Sequence, residues 1–429
     1  MSSKTNMLDI KYIREHVDEV KKGTADKQYD PSVVDKVLEV DEKRREVLRE
    51  VEDLRKKKNE VADRVKMSKG KPESSDIEEG RSIKEKLQLT EPKLAKLEDE
   101  FDELIHQIPN IPDKNAPIGK TDEENPEIRK WGEPTKFDFE PKDHVELGKE
   151  LGIIDFESGA KVSGSQFYYL SGDAVRLELA LLQFGIEKLS AKGYIPYITP
   201  DLAKSEYYLG TGYQPKGEEA QIYEIDGEDL GLIATAEVTM AGLHSNEVLR
   251  EKDLPLKYAA ISHCFRKEAG AYGKYSKGLY RVHQFTKLEM FIYCTPEKSE
   301  EMHQELLSIE EELVQELGIP YRVVEMCTGD LGAMASRKYD LEAWMPGRDD
   351  YGEITSTSNT TDYQARNMNV KYDAGGRNEY AHLLNGTALV MSRIPIAILE
   401  NFQQKDGSVR IPTVLQKWMG KDVIKQDEK

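Results

Sequence analysis

The sequence predicts an α+β fold, in which a long antiparallel helical hairpin precedes a largely antiparallel β-sheet with helices packed on it. Three observations carry this. Between Val33 and Ile108 apolar residues recur at spacings of three, four and seven, the narrow seam of a coiled coil. Downstream, short strand-like runs recur without a regular strand–helix–strand alternation, which disfavours a parallel sheet. Between these two regions Pro109, Pro112, Pro117, Pro126 and Pro134 mark a junction. The chain divides accordingly into an arm at 1–110 and a globular part at 111–429, with 111–135 as linker.

The totals narrow the class. Of 429 residues, 33% are charged and 38% hydrophobic, the balance of a soluble globular protein. No apolar run is long enough to span a membrane, and Met1–Lys22 lacks a signal-peptide pattern, so a cytoplasmic protein without membrane contact is expected. Cys264, Cys294 and Cys327 are odd in number, widely spaced and free of any CxxC pair, which points to buried reduced thiols. A net charge of −19 argues against a general nucleic-acid binder. A specific one would need a local basic surface.

In chain order, Asp9–Lys22 reads as a short helix. The first long helix carries Val37, Val47, Val51, Leu54, Val61 and Val65 on its seam; the second carries Ile83, Leu87, Leu94, Leu97, Phe101, Leu104 and Ile108. Ser68–Gly80 has the composition of a turn. The hairpin should extend about 45 Å or more at ~1.5 Å per residue, and Pro92 should kink or break its second helix. Between Lys36 and Lys71, 13 Lys/Arg face 9 Asp/Glu. Arg55, Lys56, Lys57, Lys58, Arg64, Lys66, Lys69 and Lys71 concentrate that charge towards the tip. This is the basic patch that an acidic nucleic-acid binder requires.

Asp173–Lys192 is a helix apolar around most of its circumference, which suggests burial on more than one face. A strand at Tyr194–Thr199 follows and ends at Pro200. Strand runs recur at Gly231–Thr235, Tyr258–Arg266, Tyr280–Cys294, Tyr321–Cys327, Glu353–Ser358 and His382–Met391, with helices at Pro296–Leu317 and Ile396–Gln404. Neither GxxxxGK[ST] nor GxGxxG is present. A phosphate site must therefore be built from side chains on strands.

Such side chains occur between Phe265 and Phe291. Arg266 and Glu268 share one face of the first run, and Arg281, His283, Phe285, Lys287 and Glu289 share one face of the second. A basic loop containing Gly270, Gly273, Lys274, Tyr275, Lys277 and Gly278 joins the runs. Arginines, carboxylates and an aromatic ring suit phosphates, adenine and an ammonium group. The pattern FRxE–loop–RVHQFxKxEMF closely resembles motif 2 of the class II aminoacyl-tRNA synthetases, in the form seen in seryl-tRNA synthetases. Helix–strand–Pro200 is similar to motif 1, the dimer interface of that family. NGTALVMSRIPIAILENFQ (385–403) is similar to motif 3, although the family pattern NGSGLAxGR is altered to NGTALVMSR. The helical hairpin resembles the family's N-terminal arm, which reaches the long variable arm of the tRNA. Further matching stretches are 161–181, GTGYQPK at 210–216 and 398–420.

The resemblance implies a class II catalytic sheet, ATP and Mg2+ as cofactors, L-serine and tRNA(Ser) as substrates, tRNA(Sec) as a second candidate, and a homodimer. It assigns Arg266 to the α-phosphate, Glu268 to the adenine amino group beside Lys267, Phe285 to stacking, and Arg393 to the γ-phosphate. Glu353, Ile354, Thr355 and Ser356 complete the ATP site, with Glu353 and Ser356 on Mg2+. Thr235, Ala236 and Glu237 are a TxE element on one strand face that receives the substrate ammonium, while Glu289 and Thr387 meet the serine side chain. Arg55, Lys56, Lys57, Lys58, Arg64 and Lys66 bind tRNA. Thr387 keeps the hydroxyl of the family's serine and adds a methyl group. The motif 2 loop, AGAYGKYSKG here, departs from AGxxGRDTRG. Two other functions share the fold, a non-catalytic RNA-binding adaptor and an amino-acid ligase acting on a carrier protein. Retention of both phosphate arginines speaks against the adaptor, and the long arm against the carrier-protein ligase. His263, His283 and Cys264 lack a metal-ligand spacing and read as structural residues.

Overall fold

The computed structural model describes residues 8–67, 73–212, 222–268 and 275–426. Lys69 and Lys71, residues 213–216 of GTGYQPK, and Gly270, Gly273 and Lys274 lie outside them. Two compact units divide the chain, Met1–Pro109 and Asn110–Lys429.

In the N-terminal unit, helices Ser32–Met67 and Ser74–Ile105 pack along their length. Val51, Leu54 and Val61 meet Ile83, Leu87 and Leu94 in one buried seam. Arg64 pairs with Asp76 and Arg55 with Glu91, so the two helices run antiparallel. Pro92 sits inside the second helix without ending it. The expected helix at Asp9–Lys22 is two helices, Ile10–Glu15 and Val17–Asp26, which meet at His16.

In the second unit an eight-stranded sheet holds the site. Its strands are β1 (Glu127–Trp131), β2 (Ile195–Ile198), β3 (Leu256–Phe265), β4 (Gln284–Cys294), β5 (Tyr321–Glu325), β6 (Arg337–Met345), β7 (Asp350–Asn359) and β8 (His382–Val390). Their order is β1-β5-β6-β7-β8-β4-β3-β2. Every neighbouring pair is antiparallel except β2 with β3. Helices Asp173–Ala191 and Ser299–Leu317 bury Leu177, Leu181, Leu306 and Leu313 with Leu288, Leu341, Ile354 and Leu389 of the sheet. Gly185 permits that approach, since a Cβ there would lie 2.4 Å from Leu288 Cδ2.

β1 lies inside the expected linker, and all five of its residues are exposed, so it carries no alternation. β6 occupies a stretch without an expected strand, although it alternates: Tyr339, Leu341, Ala343 and Met345 are buried between Lys338, Asp340 and Glu342. The expected strand Gly231–Thr235 stops at Leu232. Thr235 instead caps helix Ala236–Gly242, its hydroxyl accepting from the Glu237 N–H at 3.3 Å. Thr235 and Glu237 therefore do not share a strand face. A threonine N-cap and an acidic first turn suit a helix start. The helix expected at Ile396–Gln404 runs from Arg393 to Asn401, with Pro395 in its first turn, where a missing N–H costs little.

Candidate active site

The floor of the site is made by β4, β8 and β7. Strand alternation turns Phe285, Lys287 and Glu289 of β4 into a cavity of about 380 Å³, together with Asn385 and Thr387 of β8. Leu288, Met290 and Ile292 go to the core behind. A bulge sets the third wall. Leu341 pairs with Thr355 but Glu342 with Glu353, which leaves Ile354 as the extra residue. The extra residue restores Glu353 and Ser356, three apart in sequence, to one face. Ile354 is buried in the core, and the Thr355 hydroxyl donates to the buried Glu310 at 2.8 Å.

At one end of the cavity stand Arg266, Glu268, Arg281, Glu353, Ser356 and Arg393. β3 ends at Phe265, so Arg266 and Glu268 follow the strand rather than sharing a face of it, and Glu268 has φ +49°. The Arg266 guanidinium lies 5.3 Å from the Phe285 ring centroid. Arg281 Nη1 donates to Glu268 Oε2 at 3.0 Å. Arg281 and His283 precede β4, which begins at Gln284. Arg393 Nη1 lies 3.1 Å from Glu353 Oε2 and donates to the Glu353 carbonyl at 3.0 Å. Burial by itself would raise the Glu353 carboxyl; Arg393, Lys338 and Arg266 outweigh it and hold the group well below the usual carboxylate range. Beside it, burial pushes Asp340 upwards, with Lys338 3.6 Å away.

At the other end Glu289 and Thr387 are cross-strand partners. The Thr387 hydroxyl reaches Glu289 Oε2 at 3.4 Å, and Lys287 forms a buried ion pair with the same carboxylate. Glu237 Oε1 accepts from Gln364 Nε2 at 2.6 Å and from Asn385 Nδ2 at 2.9 Å. One cavity thus joins a cationic end bearing an aromatic ring to a small end of buried carboxylates and hydroxyls.

The chain is similar to known proteins in both of its units. The family model "Seryl-tRNA synthetase N-terminal domain" matches residues 7–112, and "tRNA synthetase class II core domain (G, H, P, S and T)" matches 221–402. A serine–tRNA ligase of Rubrobacter xylanophilus is 53% identical over 97% of this chain and 99% of its own. The chain belongs to the seryl-tRNA synthetases. As a seryl-tRNA synthetase it also aligns with solved members. The Pyrococcus horikoshii enzyme complexed with ATP is 41% identical, with a TM-score of 0.90 over 98% of this chain and all of that one (100%). The cytoplasmic enzyme of Naegleria fowleri in complex with AMP is 35% identical, with a TM-score of 0.85 over 99% of this chain and 100% of its own.

Of the residues expected in the site of this synthetase, Glu237, Arg266, Glu268, Phe285, Glu289, Glu353, Ile354, Thr355, Ser356, Thr387 and Arg393 border the cavity. Thr235 and Ala236 are buried at the start of their helix. Lys267 is exposed, its ammonium 5.8 Å from the Tyr223 ring centroid. His263 bonds Asp201 and His283 bonds the Arg266 carbonyl. Among the described residues no cluster of three or more His, Cys, Asp or Glu side chains is placed to hold a metal ion, and the three cysteines are free and buried. Lys338, Gln364 and Asn385 were not anticipated. Asn385 could have been found by its parity with Thr387; Gln364 offered no signal, lying 127 residues from the carboxylate it touches. On the arm, Arg55, Lys56, Lys57, Lys58, Arg64 and Lys66 are solvent-facing or partly so; Arg55 and Arg64 form ion pairs across the hairpin and Lys66 lies 3.5 Å from Asp63.

Proposed function

We infer that this serine–tRNA ligase activates L-serine with ATP to seryl-adenylate and transfers the seryl group to the 3′ end of tRNA(Ser), with tRNA(Sec) a second acceptor. The observation that carries the reading is the two-ended cavity. Its cationic end suits a triphosphate and a purine, and its small end suits an amino acid bearing a hydroxyl.

In the first step a serine carboxylate oxygen attacks the α-phosphorus, and the bond to the bridging oxygen breaks as pyrophosphate leaves. Arg266 binds the α-phosphate, Phe285 stacks on the adenine, Glu268 meets its amino group with Lys267 alongside, and Arg393 holds the γ-phosphate. Glu353, Ile354, Thr355 and Ser356 line the nucleotide site. Positioning and charge stabilisation supply the catalysis, and no protein nucleophile is needed. Mg2+ fits the donor set, because Glu353 is kept ionised by Arg393 and shares a face with the Ser356 hydroxyl. These are hard oxygen ligands of the kind Mg2+ takes. When bound, the metal neutralises charge on the phosphates.

Thr235, Ala236 and Glu237 receive the serine ammonium, and Glu289 and Thr387 its hydroxyl. Alanine would forgo the hydrogen bonds that the serine hydroxyl makes with those buried groups, an exclusion on the order of 10⁴–10⁵; threonine is excluded by contact with the pocket wall. The arm, 1–110, binds tRNA through Arg55, Lys56, Lys57, Lys58, Arg64 and Lys66, and 111–429 is catalytic. The protein is read as cytoplasmic and homodimeric; the dimer is supported by exposed apolar residues on the edge strand and its neighbouring helix, namely Ile195, Tyr197, Ile198, Val175 and Leu179. No helix among the described residues is long and apolar enough to cross a membrane.

The test is exchange of pyrophosphate into ATP with serine, alanine, threonine, cysteine or no amino acid. Exchange with serine alone is expected. Exchange with another amino acid would overturn the pocket assignment, and none at all from folded protein would favour the RNA-binding adaptor.

A further inference from the structure

Gln364 lies on helix Tyr363–Met368, is fully buried, and does not border the cavity. Its amide nitrogen is 2.6 Å from Glu237 Oε1 and 3.1 Å from the Thr211 carbonyl. Its amide oxygen lies 3.4 Å from the Thr360 hydroxyl, which donates to the Leu383 carbonyl at 2.7 Å. The orientation is forced. A flipped amide would aim its carbonyl at a carboxylate and at a second carbonyl, setting oxygen against oxygen at both. The two amide hydrogens thus serve two acceptors, one on the carboxylate and one on the backbone at the end of helix Ser205–Thr211. Asn385 Nδ2 grips the same carboxylate oxygen from the floor strand, 2.9 Å away. Glu237 is 3% exposed. A carboxylate taken out of water needs replacement donors, and two amide N–H groups on one oxygen supply them.

We propose that Gln364 is a positioning residue for the amino-acid end of the site, holding Glu237 in the rotamer that receives the serine ammonium. The inference rests on the reading of Glu237 as the ammonium acceptor. Gln364 touches no substrate. Its loss weakens serine binding through Glu237 and leaves the ATP end, built on other elements, unaffected.

The test uses Gln364→Met, which keeps the length and removes the donors, and Gln364→Glu, which keeps the shape and sets a carboxylate against Glu237. Serine-dependent pyrophosphate exchange and thermal unfolding are measured on both and on the unaltered protein. Gln364→Met is expected to raise KM for serine by roughly 10- to 100-fold, the range of a hydrogen bond to a charged group, with KM for ATP within about twofold. Gln364→Glu should be worse at pH 8 and recover as the pH falls towards 6, because the paired carboxyls then share a proton. Gln364→Met should show no such recovery. An unchanged serine KM in folded Gln364→Met overturns the inference, as does an equal rise of both KM values. Absence of serine-dependent exchange from the unaltered protein overturns the reading of Glu237 beneath it.

Discussion

His144 and Glu400 form a buried pair that fastens four segments around the site. Glu400 Oε1 accepts from His144 Nδ1 at 2.7 Å and from the His144 backbone N–H at 3.0 Å, and Oε2 accepts from the Gly347 N–H at 2.8 Å. His144 Nε2 accepts from the Leu279 N–H at 3.1 Å, so the ring is the neutral tautomer with its proton on Nδ1. The pair joins helix His144–Glu150, the helix that Arg393 begins, the turn between β6 and β7, and the segment returning to β4. Gly278, with φ +59°, belongs to this contact, since a Cβ there would lie 2.2 Å from His144 Nε2. Glu400→Leu strands the two buried donors of His144 and the partly buried Gly347 N–H and should cost about 3 kcal/mol or more. Glu400→Gln should cost less, because its amide oxygen can still accept from His144. Urea unfolding of the two variants measures this, and equal losses would contradict it.

Arg266 and Arg393 meet different parts of the proposed nucleotide. Alanine at either should lower the rate of serine-dependent pyrophosphate exchange by roughly 10²–10³-fold, as for loss of one charge-stabilising donor. Arg393→Lys should not rescue, because a lysine cannot reach both the Glu353 carboxylate and its carbonyl while stacking on Tyr280, whose ring centroid lies 4.8 Å from the guanidinium. Recovery to within about threefold by that lysine would show that charge alone suffices.

What could be read from the sequence followed regular periods. The hairpin seam from Val51 to Leu94 and the alternation at Phe285, Lys287 and Glu289 are direct consequences of helix and strand geometry. The TxE element misled because Gly231–Thr235 looks like a strand, whereas Thr235 gains more by capping a helix. The shared face of Glu353 and Ser356 depends on a bulge, and their spacing alone would put them on opposite faces. Gln364 was invisible because a contact across 127 residues leaves no local pattern.

His303 should make stability depend on pH. It is fully buried beneath the sheet, with Nε2 3.3 Å from the Thr357 carbonyl, and burial pulls its pKa down to about 4. An unfolded histidine titrates near ~6.5. Between those values the unfolded chain binds the extra proton, so stability is present above ~6.5 and is lost as the pH falls towards 4, by about 3 kcal/mol in total. His303→Gln, whose amide can still donate to Thr357, should flatten that window. Unfolding free energies at pH 7 and pH 5 for both proteins decide the point, and parallel slopes would rule His303 out as the source.

The arm can be tested separately from the chemistry. Lys56, Lys57 and Lys58 are consecutive and exposed, so they splay around one helix surface instead of filling a seam. Arg55 and Arg64 already hold Glu91 and Asp76, which leaves these lysines the better candidates for phosphate contacts. Replacing all three with glutamate should raise KM for tRNA in aminoacylation by about tenfold or more at low salt, with serine-dependent pyrophosphate exchange unchanged. If each lysine neutralises one phosphate, the slope of log affinity against log salt should flatten by about 3. Unfolding should barely change, since exposed lysines contribute little to stability. An unaltered salt slope with an unaltered tRNA KM would move the nucleic-acid surface away from this part of the hairpin.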